Sequence, residues 1–189
     1  MSGVLMVSDA GTTVLWQEPL SAFLAGRQQA KLEDAFASPP RRVLVKRPLP
    51  GDSIGRIELP SLGRDYYVIE GTRTGDLRKG PGHYADSPLP GERGTVAIAG
   101  HRTTFGAPFR KIDKLRKGDT IRLQMSYGRF TYRVEKTRIV EPSDVSVKRP
   151  VSYDRLVLTA CHPLYSAARR VVAFARLVRR DGRSRVTKG

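Results

Sequence analysis

The sequence predicts a mainly β domain with short helices and one longer helix at its N-terminal end. Three observations support this prediction: β-forming residues recur in short runs, Gly/Pro-rich loops separate the runs, and helical periodicity is scarce between them. Many short strands joined by turn residues are typical of β-sandwiches and closed barrels. The predicted strands lie at residues 53–60, 65–71, 95–100, 119–125, 129–140, 155–161 and 170–178.

Local patterns within these runs predict which residues face the core and where the chain turns. The first run alternates, and Ile54, Ile57 and Leu59 are expected on its inner face. SYG at 126–128 lies between two runs and is typical of a hairpin turn. The segment APFRKIDKL, residues 107–115, is expected to form a short helix between strands.

The N-terminal segment predicts a helix over residues 17–36, entered at Pro19. The apolar positions recur at helical spacing at Leu20, Phe23, Leu24, Leu32 and Phe36. Residues 1–17 carry one charge, Asp9, and lack the basic stretch that opens a signal peptide. Two interpretations are open at this point: an amphipathic helix docked on the domain, or the outer end of a truncated membrane anchor.

Composition shifts divide the chain into four parts. Residues 1–37 form the N-terminal segment, and SPPRRVLVKRPLP at 38–50 reads as an extended basic linker because of its prolines and cations. Residues 51–180 hold the β-type runs, and residues 181–189 form a basic tail.

Charge is the dominant feature of the composition. The 189-residue chain has a formal net charge of +16, and its surface therefore attracts polyanions such as nucleic acid, anionic lipid or wall polymer. Specific nucleic-acid recognition is not expected, because no zinc-finger spacing, RNA-binding aromatic signature or basic zipper is present. A single cysteine excludes an intrachain disulfide and a cysteine-based zinc cluster.

That single cysteine, Cys161, lies in LVLTACHPLYSAARRVV, residues 156–172. A cysteine nucleophile needs a proton donor for the leaving group and donors that stabilise the oxyanion. His162 adjoins Cys161, but neighbouring strand residues point to opposite faces, so direct pairing is unfavourable. His83 and His101 lie in other segments, and either can approach the thiol. The alternative is a buried core cysteine beside a solvated basic patch.

An arginine is the third candidate element. If residues 155–161 and 170–178 are adjacent strands, Arg169 or Arg170 enters the second strand near the thiol, and its guanidinium could bind an oxyanion. Strand alternation places only one of the two on the face of Cys161. Spacing alone leaves both open.

In their order along the chain, several segments resemble the sortases, cysteine transpeptidases of the Gram-positive cell surface. They include GDSIGRIELP, GTRTGDLRKGPGHY, GTVAIAGHRTTFGAPFRKIDKLRKGDTI and LVLTACHPLYSAARRVV, and the similarity runs from residue 51 to residue 178. GHRTTFGAPF and ACHP make the chain most similar to the class E branch.

The resemblance implies a closed eight-stranded β-barrel and a catalytic set of His101, Cys161 and Arg170. It also implies cleavage of an LAxTG- or LPxTG-type sorting signal between Thr and Gly through a thioacyl-enzyme. The protein is then transferred to an amine of peptidoglycan. No metal or cofactor is expected.

Further residues near these motifs are expected to contact substrate: His83, Tyr84, Thr103, Thr159 and His162. One departure from the family pattern stands beside the nucleophile, where Ala160 replaces the usual threonine. Thr159 comes one place earlier and, in a strand, shares the face of Cys161 while Ala160 points away.

The resemblance also implies a location and partners. Class E sortases carry an N-terminal anchor, so the truncated-anchor interpretation is favoured, with the catalytic domain on the outer side of the cell membrane. The expected partners are secreted proteins with a C-terminal sorting signal. The alternatives are a pilin-polymerising sortase, or a non-catalytic basic barrel that binds anionic surface polymer.

Overall fold

The computed structural model describes residues 3–38 and 48–182, with side chains described from residue 20 onward. Its longer elements are helix α1 (Gly3–Ala37) and eight strands. The strands are β1 (Ser53–Leu59), β2 (Arg64–Glu70), β3 (Gly82–His83), β4 (Thr95–Ala99), β5 (Thr120–Met125), β6 (Gly128–Val140), β7 (Arg155–His162) and β8 (Arg169–Gly182). A one-turn helix, α2 (Thr74–Leu77), and short 3₁₀ turns at Pro60–Leu62, Ile112–Lys114 and Val145–Lys148 complete the list.

The eight strands close into a barrel in the order β1-β2-β3-β4-β7-β8-β6-β5. Strands β2 and β3 pair in parallel, as do β4 and β7, and the other neighbours are antiparallel. Closure leaves no free sheet edge, which removes the usual site of edge-to-edge aggregation. The predicted mainly β barrel is confirmed.

The barrel interior holds one large apolar core, to which Ile54, Ile57 and Leu59 of β1 contribute as predicted. Ile54 and Ile57 are three positions apart, so their side chains would point to opposite faces of a regular strand. A register shift between Ser53 and Gly55 lets both point inward.

Helix α1 begins at Gly3, well before the predicted start, and packs on the outside of β1 and β2. Leu32 is buried, and its carbonyl accepts from the Ser53 hydroxyl of β1 at 2.9 Å, while Ala25 is buried near Gly106. The Gln29 side chain accepts from Tyr67 N at 2.7 Å and donates to Lys79 O at 2.9 Å. No helix within residues 3–38 and 48–182 combines the length and apolar character needed to cross a bilayer.

Three local features differ from the sequence predictions. The two-residue strand β3 and the helix α2 were not predicted, because neither is long enough to show a periodicity. Residues 107–115 form turns with a single 3₁₀ segment instead of a helix. The proposed linker lies mostly outside the described residues, as does the tail beyond Gly182.

The close pairing of β1 with β5 leaves no room for a side chain at Gly55. A Cβ added at Gly55 would lie 2.5 Å from Met125 Sδ and 2.8 Å from Gln124 O. We expect Gly55→Ala to lower the free energy of unfolding by about 1–3 kcal/mol through overpacking, measured by denaturant titration. Gly75→Ala is the matched control, because an added Cβ there meets no atom within 4 Å. Equal effects at both positions would contradict this packing.

Candidate active site

Strand β7 carries the cysteine between two neighbours that set its surroundings. In the parallel β4–β7 pair, Ala99 lies beside Thr159, and the Gly100 N–H donates to Thr159 O at 3.0 Å. In the antiparallel β7–β8 pair, Cys161 lies directly opposite Arg170. The half-buried thiol therefore sits where all three strands reach the same end of the barrel.

The β7–β8 register separates the two arginines. Directly opposite residues of an antiparallel pair place their side chains on the same face, so Arg170 shares the face of Cys161. Arg169 lies opposite His162 and pairs with Glu141 at 3.5 Å on the exposed surface. Only Arg170 is next to the thiol.

The Arg170 guanidinium is held by its own loop. Its Nη1 donates to Ala167 O at 2.9 Å and to Arg169 O at 3.0 Å. Nε and Nη2 make no hydrogen bond to any described residue, so these donors remain available for a ligand oxygen.

His101 follows β4 by two residues. Continuing the β4–β7 register by two residues brings His101 level with Cys161, on the side of the thiol opposite Arg170. Its Nε2 is buried and has no hydrogen-bond partner among the described residues. A buried donor-acceptor atom without a partner is costly, and a substrate amine is one group that could satisfy it.

Burial lowers the pKa of His101 below its ordinary value, and the charge of Arg78 lowers it further. The centroid of the Phe105 ring lies 5.1 Å from that of the His101 ring. The Arg78 guanidinium lies 5.5 Å from the centroid of the same Phe105 ring. Desolvation and a nearby cation both disfavour the imidazolium. Both effects shift the protonation equilibrium of His101 toward the neutral imidazole.

Arg102 ties the segments of the site together, and the sequence did not single it out. Its side chain is only 3% exposed. It donates to Arg110 O at 3.1 Å and to Cys161 O at 3.4 Å, contacts His162 Nδ1 at 3.1 Å, and pairs with Asp113 at 2.9 Å. One buried guanidinium thus joins the His101 turn, the following loop and the end of β7.

A cleft of about 180 Å³ runs over the outer face of β7 and β8 from Arg170 toward Lys148. Thr159 and Val172 lie on its floor, with the Tyr84 hydroxyl 3.4 Å from Thr159 Oγ1. Its lining also includes Val140, Glu141, Pro142, Asp144, Val145 and Val147. This cleft, called the signal groove below, is mixed apolar and polar and reaches Arg170, which lies opposite Cys161.

A buried cation holds the outer wall of the signal groove. Arg155 is 9% exposed and donates through Nη2 to Val147 O at 2.9 Å and to Arg149 O at 2.7 Å. The Thr95 hydroxyl donates to the same Arg149 carbonyl at 3.1 Å. Nothing in the sequence distinguishes Arg155 from the many surface arginines, because its partners are backbone carbonyls of a loop.

The predicted substrate contact of His83 is wrong for this structure, because its side chain is 1% exposed. Nδ1 lies 2.8 Å from Glu70 Oε2, and Nε2 lies 2.9 Å from Ser87 Oγ and 3.0 Å from Pro88 O. His83 therefore fixes the loop that presents Tyr84 to the signal groove and does not itself reach a ligand.

The other residues predicted to contact substrate also differ in whether they line the groove. Tyr84 and Thr159 line the signal groove. His162 points away from the face of Cys161 and contacts Arg102, so a contact with substrate in the groove is not its role here. Thr103 is half-buried in the turn after His101, outside the groove lining. Ala160 lies in the main core, and this placement agrees with the predicted alternation.

No group of three or more His, Cys, Asp or Glu side chains within the described residues is arranged to hold a metal ion. The side chains that the strand register brings to this end of the barrel include a thiol, an imidazole and a guanidinium. These three groups suit acyl transfer through a covalent thioester.

Known proteins of one family match this chain in sequence. The model of the sortase domain matches residues 57–178. Sortase D of Bacillus subtilis is 38% identical over 70% of this chain and 67% of its own length. Sortase SrtE1 of Streptomyces coelicolor is 28% identical over 97% of this chain, which spans only 56% of that relative.

Solved structures with the same fold include two sortases of the E type. Sortase E of Streptomyces avermitilis is 34% identical, with a TM-score of 0.65 over 71% of this chain and 93% of that one. Sortase E1 of Streptomyces coelicolor, solved with a tripeptide in the active site, is 28% identical, with a TM-score of 0.67 over 74% and 96%. The barrel, the placement of a thiol at its rim and the family match agree. The chain is therefore a member of the sortase family, an enzyme of the cysteine transpeptidase type.

Proposed function

We propose that this sortase cleaves an LAxTG- or LPxTG-type sorting signal between Thr and Gly and transfers the threonyl carbonyl to a cell-wall amine. The observation that carries the proposal is the pairing of Cys161 with Arg170 at the end of the signal groove, with His101 level with the thiol. Acyl transfer through a thioester needs a nucleophile, an oxyanion donor and a proton donor, and Cys161, Arg170 and His101 supply these groups in that order.

In the first half-reaction, His101 takes the proton of the Cys161 thiol, and the resulting thiolate attacks the threonyl carbonyl and forms a carbon–sulfur bond. The Nε and Nη2 donors of Arg170 stabilise the oxyanion that develops on the carbonyl oxygen. The peptide C–N bond then breaks, and imidazolium His101 gives its proton to the departing glycine amine. The products are a threonyl thioester and a free C-terminal fragment.

In the second half-reaction, an amine replaces the glycine fragment. Neutral His101 takes a proton from the incoming amine as its nitrogen attacks the thioester carbonyl. The carbon–sulfur bond breaks, and the thiolate of Cys161 is restored. Water in place of the amine gives hydrolysis, which sets a background rate.

The groove supports a short apolar signal. Val140 and Val172 offer aliphatic surface, while Tyr84 and Thr159 offer hydroxyls beside it. The class E assignment rests on GHRTTFGAPF and ACHP, and relatives named both Sortase D and SrtE1 match the chain. Comparing LAxTG with LPxTG peptides tests the signal, and comparing a lysine side-chain amine with a peptidoglycan amine tests a pilin-polymerising role.

The family places sortases at the surface of Gram-positive cells, and we propose the same location for this chain, with membrane attachment at its N-terminal side. The net charge of +16 favours a position near anionic lipid or wall polymer.

The central test is formation of the thioacyl-enzyme. We expect an LAxTG peptide to leave a threonyl adduct on Cys161, detected by mass spectrometry. Cys161→Ala should abolish the adduct, and His101→Ala should slow its formation by about 10²–10⁴-fold through loss of the proton donor. Unchanged melting temperatures serve as the control for folding. An adduct that persists at another residue in Cys161→Ala would overturn the proposal.

The two arginines should differ sharply. We expect Arg170→Ala to lower kcat for acylation by about 10²–10³-fold, the cost of removing one oxyanion donor. Arg169→Ala should stay within about threefold of the parent, because it removes only an exposed ion pair with Glu141. Steady-state peptide cleavage measures both. Equal losses at the two positions would contradict the observed strand register.

The titration of His101 should respond to Arg78. Because Arg78 contributes to lowering the pKa of His101, Arg78→Gln should raise that pKa, and the imidazolium should persist to higher pH. NMR titration of the His101 ring in the Cys161→Ala background measures the shift without coupling to the thiol. Lys79→Gln, at the next position, is the control and should leave the titration in place. A downward shift in Arg78→Gln would contradict the electrostatic assignment.

A further inference from the structure

A second cleft adjoins the signal groove, and we propose that it binds acidic residues of the client protein on the N-terminal side of the sorting signal. This inference rests on the proposed transpeptidase function, whose substrate it defines further. It assigns to the enzyme a preference for an anionic segment beyond the signal itself.

The second cleft, called the basic cleft, has a volume of about 330 Å³. It shares Val145 and Lys148 with the signal groove, so the turn that ends one cleft borders the other. Its remaining lining comes from residues 86–88, 93–95 and 149–150. A chain that leaves the signal groove at Lys148 therefore enters the basic cleft directly.

The two clefts differ in charge. The signal groove has two cations and two carboxylates on its lining and is neutral: Arg170 and Lys148 against Glu141 and Asp144. The basic cleft has three cations and one carboxylate, which leaves a net charge of +2: Arg93, Lys148 and Arg149 against Asp86. A neutral signal fits the first cleft, and an acidic segment fits the second.

The cations differ in how they are held. Lys148 lies 2.7 Å from Asp86 and 4.6 Å from the centroid of the Tyr84 ring, and its hydrogen bond lowers the pKa of Asp86. Arg93 and Arg149 have exposed side chains and form no ion pair with any described residue. These two guanidiniums are available to a carboxylate, and Lys148 can exchange Asp86 for a second one.

The position of Arg149 is built by buried contacts. Arg155 Nη2 and Thr95 Oγ1 both donate to the Arg149 carbonyl, at 2.7 and 3.1 Å. The backbone at this position is therefore fixed while its side chain projects outward, and less conformational entropy is lost when a ligand binds.

The direction of the bound peptide follows from the chemistry. The acyl fragment must stay bound through the life of the thioester, whereas the glycine fragment must leave past His101 to admit the amine. The signal groove leads from Arg170, opposite Cys161, past Thr159, so the residues N-terminal to the scissile bond lie along it. Its lining continues to Lys148, where the upstream residues of the client meet the basic cleft.

A wall polyanion is the competing ligand for the cations of the basic cleft. The contiguity of the basic cleft with the groove that reaches Arg170 favours the peptide, because the client chain passes the cleft whenever its signal is bound. A free polymer has no such tether and gains no effective concentration from it.

The test compares peptides with one sorting signal and three upstream residues that are all Asp, all Asn or all Lys. We expect the Asp peptide to exceed the Asn peptide in kcat/KM by about 5–30-fold, mainly through KM, at low salt. The advantage should shrink at high salt, because exposed ion pairs are screened. Equal values for the Asp and Asn peptides at low salt would overturn the inference.

Variants locate the effect. The double variant Arg93→Glu/Arg149→Glu should remove the advantage of the Asp peptide and favour the Lys peptide, with the Asn peptide unchanged. Arg122→Glu/Arg129→Glu is the matched control, because these arginines line a different cleft with Arg56 and Arg179. An advantage that survives in the first variant, or that disappears equally in the control, would assign the effect to overall charge and overturn the site.

The same experiment separates this inference from the proposed function. If the Asn peptide forms no adduct on Cys161, the transpeptidase proposal itself fails. If the Asn peptide reacts but the charge of the flanking residues has no effect, the peptide assignment of the basic cleft is wrong. Polyphosphate binding that is lost in Arg93→Glu/Arg149→Glu would then assign the cleft to a polymer.

Discussion

The structure of the site depends on the position of β7 between a parallel and an antiparallel neighbour. Because side chains alternate along a strand, the two ladders decide together which groups surround the thiol. The ladder to β8 sets Cys161 opposite Arg170, and the ladder to β4 brings His101 to the same level. A one-residue slip of β8 would replace Arg170 by a residue from the opposite face and turn Val171, Ala173 and Ala175 out of the main core. The apolar packing of the barrel thus enforces the geometry of the reacting groups.

Three loops at this end of the barrel are held by buried charged or polar side chains that bind backbone carbonyls. Arg102 joins the His101 turn to the end of β7, Arg155 holds the outer wall of the signal groove, and His83 with Glu70 holds the loop of Tyr84. Burying a charge costs desolvation free energy, and hydrogen bonds to its donors offset that cost, so these contacts restrict where each loop can lie. Loops that would otherwise be mobile are thereby given fixed positions around the cysteine.

Much of the fold was accessible from the sequence, because strand alternation and turn residues are local signals. Seven of the eight strands coincide with predicted runs, and only the two-residue β3 was missed. The choice between Arg169 and Arg170 needed either the family resemblance or the strand register, since both arginines have the same chemistry. Arg102 and Arg155 could not be found, because most of their partners are backbone carbonyls, which every residue type carries and the sequence therefore does not mark. His83 was misassigned for the same reason: its burial is a tertiary property.

Helix α1 belongs to the environment of His101, although it lies outside the barrel. Ala25 is buried against the turn that follows His101, where an added Cβ at Gly106 would lie 3.3 Å from it. Gln29 binds the carbonyl of Lys79, next to the arginine that depresses the pKa of His101. The helix therefore supports both the turn that buries the imidazole and the segment that supplies the opposing cation. Since burial and that cation together lower the pKa of His101, the docking of α1 is coupled to the proton affinity of the proposed acid.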